Sequence, residues 1–155
     1  MGALTIYHNI PIYIKEVIFL SFPGTSASFL ANLTLILQIA AFIILFLGVM
    51  HAKKKEFLKH FKKADIAVIF GILAFFWMSY RFVSNLPPII LHITSPDSLL
   101  MIAHVGAGLL ALSGGIAFAL NRFIKKTLIP MRVVFLAWTI ALLLGITLYA
   151  SYYIS

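Results

Sequence analysis

The sequence predicts an all-α fold: a polytopic membrane four-helix bundle with a short N-terminal interfacial helix. Of the 155 residues, 63% are hydrophobic and only 10% are charged, whereas a soluble domain carries about a quarter charged residues. Four apolar runs are long enough to cross a bilayer, which takes about 20 residues. Segments rich in lysine and arginine separate these runs in two places. The chain therefore lacks the polar side chains that would cover a soluble domain.

The first 24 residues form a separate N-terminal segment in this prediction. The run from Pro11 to Phe22 is too short to span a bilayer, and it carries Lys15 and Glu16. Such a run is typical of a helix that lies on the membrane surface. No basic stretch precedes it, so we do not expect a cleaved signal peptide. The four-transmembrane-helix domain is expected over residues 25–155.

The borders of the spans follow from capping residues and prolines. Ser95, Pro96 and Asp97 supply a cap, a proline at the first position and an acid in the first turn of a helix. Asp65 and Pro130 suit the first turns of two other helices. The segment from 84 to 94 contains two adjacent prolines and is expected to be a loop. The expected spans are about residues 29–50, 64–83, 96–120 and 131–153.

Two basic loops predict the orientation and the membrane. Residues 51–63 and 121–132 hold ten of the twelve lysines and arginines, and the net charge is +8. The positive-inside rule makes these loops cytoplasmic and places both termini outside a plasma (cytoplasmic) membrane. The lipid bilayer is thus the expected partner of the basic residues, and no nucleic acid is expected. Since the chain has no cysteine, disulfides and thiolate metal sites are excluded.

Small residues recur at every fourth position of the third span. Small side chains at this spacing let membrane helices approach closely. One interpretation is a tight hairpin between the third and fourth spans; the other is a slot for a flat cofactor or a lipid tail. The residues concerned are Ala103, Ala107, Ala111, Gly115 and Ala119 in the third span, and Ala137, Ala141 and Gly145 in the fourth.

His104 is the clearest candidate for chemistry, because an ionisable residue inside a span is a functional hypothesis by default. It is either a ligand to iron, copper or zinc, or a core histidine bonded to another helix through Asn32 or Tyr80. A haem on the outer side would need His104 and a second ligand such as His92, with Arg81 near a propionate.

Two further histidines belong to the first basic loop. His51 and His60 lie nine residues apart among lysines, so they form an inner metal site or are simply solvated. No motif of a hydrolase or transferase is present, and no enzymatic activity is predicted. An aromatic belt at the outer face is predicted from Trp77, Tyr80, Tyr149, Tyr152 and Tyr153.

Motif residues follow a common order from Asn32 to Tyr149. They are Asn32, the pair Leu47-Gly48, His60 twelve residues after that glycine, the pattern Phe76-x-x-Ser79-Tyr80, His104, and Trp138 followed by Gly145 and Tyr149. In this order and spacing the chain resembles the CtaM-like four-helix membrane proteins, a family of haem–copper oxidase assembly factors that was long of unknown function.

The resemblance implies a protein that handles haem or copper, or assists assembly of a terminal haem–copper oxidase, with the oxidase subunits as partners. His104 and His60 would be its metal residues, and Asn32 and Tyr80 would support His104. Two family histidines have no counterpart here: Ser84 replaces one, and residues 125–127 contain none. Two alternatives stay open, a cofactor-free accessory subunit of a respiratory complex and a bis-histidine b-type cytochrome.

Overall fold

The structure, a computed structural model, describes residues 27–84, 86–120 and 128–154, and these segments contain helices and no strand. The expected interfacial segment 1–24 and residues 121–127 of the second basic loop lie outside the described residues. Four helices are long and apolar enough to cross a membrane, so the predicted fold class is confirmed. The helices are α1 (Phe29–Lys53), α2 (Phe57–Ser84), α3 (Leu86–Leu91), α4 (Pro96–Ala119) and α5 (Leu128–Tyr153).

The four long helices form a ring in chain order. Helix α1 packs along α2, and α4 packs along α5, while α2 also touches α4 and α1 touches α5. At one end of the bundle Nη2 of Arg81 lies 3.2 Å from the hydroxyl of Tyr153. The aromatic ring of Tyr153 packs on that of Tyr149. We call this the aromatic end. The opposite end carries Lys53 to Lys63 and is called the lysine-rich end.

The second span begins at Phe57, seven residues before the predicted start at 64. The chain reverses direction within three residues, because Lys55 adopts a positive φ of 63°. The N–H groups of Lys55 and Glu56 then bond to the carbonyls of Ala52 and His51, both at 3.0 Å, as in a Schellman helix end. Because the turn is complete at Glu56, the lysines that follow it, Lys59, Lys62 and Lys63, belong to α2.

Two other borders test the predictions from capping residues. Ser95 caps α4 as expected, since its hydroxyl accepts from the N–H of Ser98 at 3.3 Å. The expected loop at 84–94 contains the short helix α3. Its adjacent prolines lie in the first turn, where a missing N–H costs no helical hydrogen bond.

The tight hairpin between the third and fourth spans is present, but only part of the small-residue pattern contributes to it. A spacing of four advances about 40° around a helix at each step, so the pattern drifts across α4: Ala111 is buried, whereas Ala103 and Ala119 are exposed. The two helices pack closely at Gly114, where an added Cβ would overlap Cγ2 of Val134.

Candidate functional site

His104 lies in the interior of the bundle, in the half nearer the aromatic end. Its side chain is only 4% exposed, and its Nδ1 is 2.9 Å from the carbonyl oxygen of Ala141 on α5. Because a carbonyl oxygen can only accept, Nδ1 carries the hydrogen. In the neutral ring Nε2 then keeps its lone pair. Metal-ligating histidines are commonly held in this way, with one nitrogen donating to the protein and the other on the metal.

Gly145 allows the ring of His104 to pack this closely against α5. A Cβ at position 145 would lie 2.9 Å from Cε1 of His104 and 3.0 Å from Oε1 of Gln38. The amide nitrogen of Gln38 in turn lies 2.7 Å from Sδ of Met78. The amide of Gln38 therefore contacts the thioether on α2, and its oxygen lies, like the ring of His104, beside Gly145.

Two cavities meet at His104. The first, which we call the lateral cleft, has a volume of about 270 Å³ and lies mainly between α2 and α4. The second, the aromatic-end cavity, has a volume of about 160 Å³ and extends toward Tyr152 and Tyr153. Both are lined by Gln38, Met78, Phe82, His104 and Val105.

The aromatic-end cavity brings potential ligands and a cation to the same place as His104. Its lining residues include Met78 and Met101, whose thioether sulfurs are potential metal ligands. Arg81 lines it as well, and donates to the hydroxyl of Tyr153. Of the residues predicted for an outer haem site, Arg81 and His104 therefore border one cavity. The methionines were missed, because thioethers in an apolar run look like ordinary core residues.

His92 and Tyr80 lie away from His104. The side chain of His92 is exposed in the turn after α3, and it lines neither cavity. Tyr80 is 63% exposed, and its ring packs on that of Trp77 with centroids 5.5 Å apart. Consecutive helical residues differ by about 100° in direction, so Tyr80 points outward while Ser79 lines the lateral cleft. The predicted pairings of His104 with His92 and Tyr80 are not formed.

Asn32 is buried at the aromatic end but bonds to a residue other than His104. The hydroxyl of Tyr149 donates to its Oδ1, and its Nδ2 has no hydrogen-bond partner among the described residues. The side chain is 3% exposed. Asn32 thus joins α1 to α5.

His60 is buried at the lysine-rich end. Its Nδ1 lies 2.9 Å from the carbonyl oxygen of Gly48, whereas His51 pairs with Glu56 at 2.6 Å. These two histidines therefore have separate partners. Gly48 and Gln38 are ten residues apart on α1, roughly 15 Å, so His60 and His104 belong to different sites. The described residues contain no group of three or more histidines and acids that could hold a metal.

Several of the motif residues contact one another across helices. Asn32 bonds to Tyr149, Gly48 to His60, and His104 packs on Gly145. Trp138 donates from Nε1 to the carbonyl oxygen of Ala111 at 3.0 Å. These contacts connect α1 with α2 and α5, and α4 with α5.

Together, the fold and its four candidate spans define an integral membrane four-helix protein. No protein-family model, curated protein or solved structure matches this chain.

Proposed function

We propose that this membrane protein handles copper(I) during assembly of a terminal haem–copper oxidase, and that it binds the ion at His104. The observation that carries the proposal is that a histidine and two methionines line a single cavity: His104, Met78 and Met101 all border the aromatic-end cavity. Thioether sulfur is a soft ligand that selects Cu(I), and imidazole suits copper as well. The fixed Nδ1–H bond of His104 leaves Nε2 to act as the metal ligand.

The resemblance to the CtaM-like proteins supplies the link to an oxidase. What supports it here is that three pairs of its motif residues lie in contact, as expected if the pattern describes one packed bundle. Subunits of the terminal oxidase are the proposed partners. By the positive-inside rule the aromatic end faces the outside of the plasma membrane. Copper would then enter through the cavity at that end.

Haem is the second candidate, and the lateral cleft is the observation that favours it. The walls of the cleft are largely apolar, and it borders His104. A haem iron could take His104 with a methionine as its second axial ligand. The exposed position of His92 argues against the bis-histidine arrangement.

The test is a titration of detergent-purified protein with Cu(I) in competition with a chromophoric Cu(I) chelator. Wild type should hold one copper per chain, and Met78→Leu and Met101→Leu should each weaken binding by about tenfold or more, since each removes one ligand. Met50→Leu is the matched control, because Met50 is 44% exposed near the lysine-rich end and should bind like wild type.

The same samples separate the alternatives. A Soret band in the absorbance spectrum would show that the protein binds haem, and haem would then take the place of copper in the proposed function. A colourless protein that releases all copper to the chelator would contradict the proposal. That result would favour the cofactor-free accessory subunit, which should co-purify with larger membrane subunits.

A further inference from the structure

The lateral cleft provides room at the lipid-facing surface of the bundle. Gly108 lines the cleft, and an added Cβ at this position would meet nothing within 4 Å. Leu109 and Val83, which also line the cleft, are 48% and 62% exposed. The space between α2 and α4 therefore opens toward the bilayer, where the apolar part of a lipid-like ligand can enter.

Besides Gln38, whose amide nitrogen is bonded to Met78, two polar groups on residues that line this cleft have unused hydrogen-bonding capacity. The first is Nε2 of His104, which keeps a lone pair because Nδ1–H donates to Ala141. The second is the hydroxyl of Ser79, which makes no hydrogen bond within the described segments. Several other hydroxyls of the spans donate to a carbonyl one turn back, as Thr34 and Thr139 do at 2.8 and 2.9 Å. Ser79 thus has a hydroxyl available to a ligand.

The depth of these groups restricts the chemistry of the ligand. Ser79 lies five residues from the end of α2 and His104 eight residues from the start of α4, which correspond to roughly 8 and 12 Å below the aromatic end. A phospholipid carries its head group at the membrane surface and would present only acyl chain at this depth. A ligand that satisfies Nε2 of His104 at this depth must instead carry a donor such as a hydroxyl group on a body that is otherwise apolar.

We propose that the lateral cleft binds a membrane quinol. One quinol hydroxyl donates to Nε2 of His104, and the other exchanges a hydrogen bond with the hydroxyl of Ser79. The ring occupies the space beside Gly108, and the isoprenoid tail leaves between α2 and α4. The oxidised quinone has no O–H group, so it cannot donate to His104. This site goes beyond the proposed copper function; Met78 and His104 line both cavities, but the quinol hydrogen bonds use only His104 among the proposed Cu(I) ligands.

The experiment uses full-length protein in detergent with decylubiquinone and decylubiquinol as probes. The chain has two tryptophans, and Trp138 lines the cleft whereas Trp77 does not. In a Trp77→Phe background, quinone quenching of Trp138 fluorescence gives the quinone affinity, and displacement by the quinol gives the quinol affinity. We expect the quinol to bind about tenfold more tightly, the usual value of one added hydrogen bond.

Two glycines provide a matched pair of variants. Gly108→Leu fills the cleft and should abolish quenching. Gly106→Leu also introduces a side chain where a Cβ meets nothing within 4 Å, but Gly106 does not line the cleft, so quenching should persist. Ser79→Ala should lower quinol affinity by several fold and leave copper affinity unchanged.

The outcomes for the two proposals are separable. Equal quenching in Gly108→Leu and Gly106→Leu, or equal affinity for quinone and quinol, would overturn the quinol site even if the protein binds copper. Selective quinol binding by a protein that holds no copper would uphold this site and refute the copper function. If the protein binds both copper and quinol, Cu(I) loading should weaken quinol binding, since each ligand uses Nε2 of His104.

Discussion

The two buried histidines of this protein make the same hydrogen bond in different surroundings. Nδ1 of His60 and Nδ1 of His104 each lie 2.9 Å from a backbone carbonyl oxygen of a neighbouring helix. The ring of His60 lies against Gly48 and Phe61, and it lines neither of the two cavities. His104 borders both cavities and shares one of them with Met78 and Met101. The bond to the carbonyl orients each ring, and the neighbours of Nε2 determine whether that orientation can serve a ligand.

The largest effect should come from replacing each histidine in turn. His104→Gln removes the proposed metal ligand and should weaken Cu(I) binding at least 100-fold, more than loss of a merely supporting residue. His60→Gln should leave copper affinity within about twofold of wild type, because its ring lies at the opposite end of the bundle. Chelator competition measures both. A similar loss of copper affinity in both variants would contradict the prediction that only His104 binds the ion.

The glycines that face the histidines offer a second comparison. An added Cβ at Gly145 would come within 2.9 Å of His104, so Gly145→Ala should displace the ring, cost about 1–3 kcal/mol of stability and weaken Cu(I) binding about tenfold. At Gly48 the nearest atoms are 3.3 and 3.4 Å away. Gly48→Ala should change stability by less than about 1 kcal/mol, since the higher helix propensity of alanine offsets the tight contact. Thermal unfolding in detergent ranks the two, and a larger loss in Gly48→Ala would contradict the prediction.

A smaller effect is expected at the contact between α1 and α5. Tyr149→Phe removes the hydroxyl that donates to Asn32 and leaves the buried amide without a partner among the described residues. The expected destabilisation is about 0.5–2 kcal/mol, as for other hydrogen bonds between membrane helices. Tyr152→Phe is the control, because Tyr152 is 49% exposed. Equal unfolding temperatures of the two variants would show that the bond to Asn32 adds nothing to stability.

The smallest effect concerns the turn at the lysine-rich end. Hydrogen bonds from His51 and Lys59 hold the pKa of Glu56 below its ordinary value of 4.5. A carboxylate whose pKa is lowered by folding stabilises the protein above pH 4.5, and this stabilisation disappears as the pH falls through the lowered pKa. Wild type should therefore unfold at a higher temperature than Glu56→Gln at pH 6, and the gap should close toward pH 3. If the difference in unfolding temperature between wild type and Glu56→Gln grew as the pH fell, the prediction would be wrong.

The architecture was predictable because its signals are local. The length of each apolar run, the cap at Ser95 and the basic residues around position 55 are all properties of short stretches of chain, and four candidate spans are found where four were expected. The start of α2 was missed for a local reason too. Lysines before a span are typical of a loop, but the turn with a positive φ at Lys55 leaves Lys59, Lys62 and Lys63 within α2.

The site was only partly predictable. His104 stood out as an ionisable residue in an apolar run, and Arg81 does line the same cavity. The partner of His104 is a backbone carbonyl, which no side-chain pattern reveals. Gln38 and Met78 meet beside it because α1 and α2 pack with a particular rotation.

Composition and spacing alone therefore establish a membrane protein with four apolar helices, an asymmetric charge and one histidine worth attention. They do not establish which residues share a cavity. That depends on how far each helix is rotated about its own axis, and a change of one residue moves a side chain by about 100°. The packing of Gly145 on His104 and of Gly114 on Val134 constrains the rotation of α4 against α5, and the contact of Gln38 with Met78 constrains that of α1 against α2.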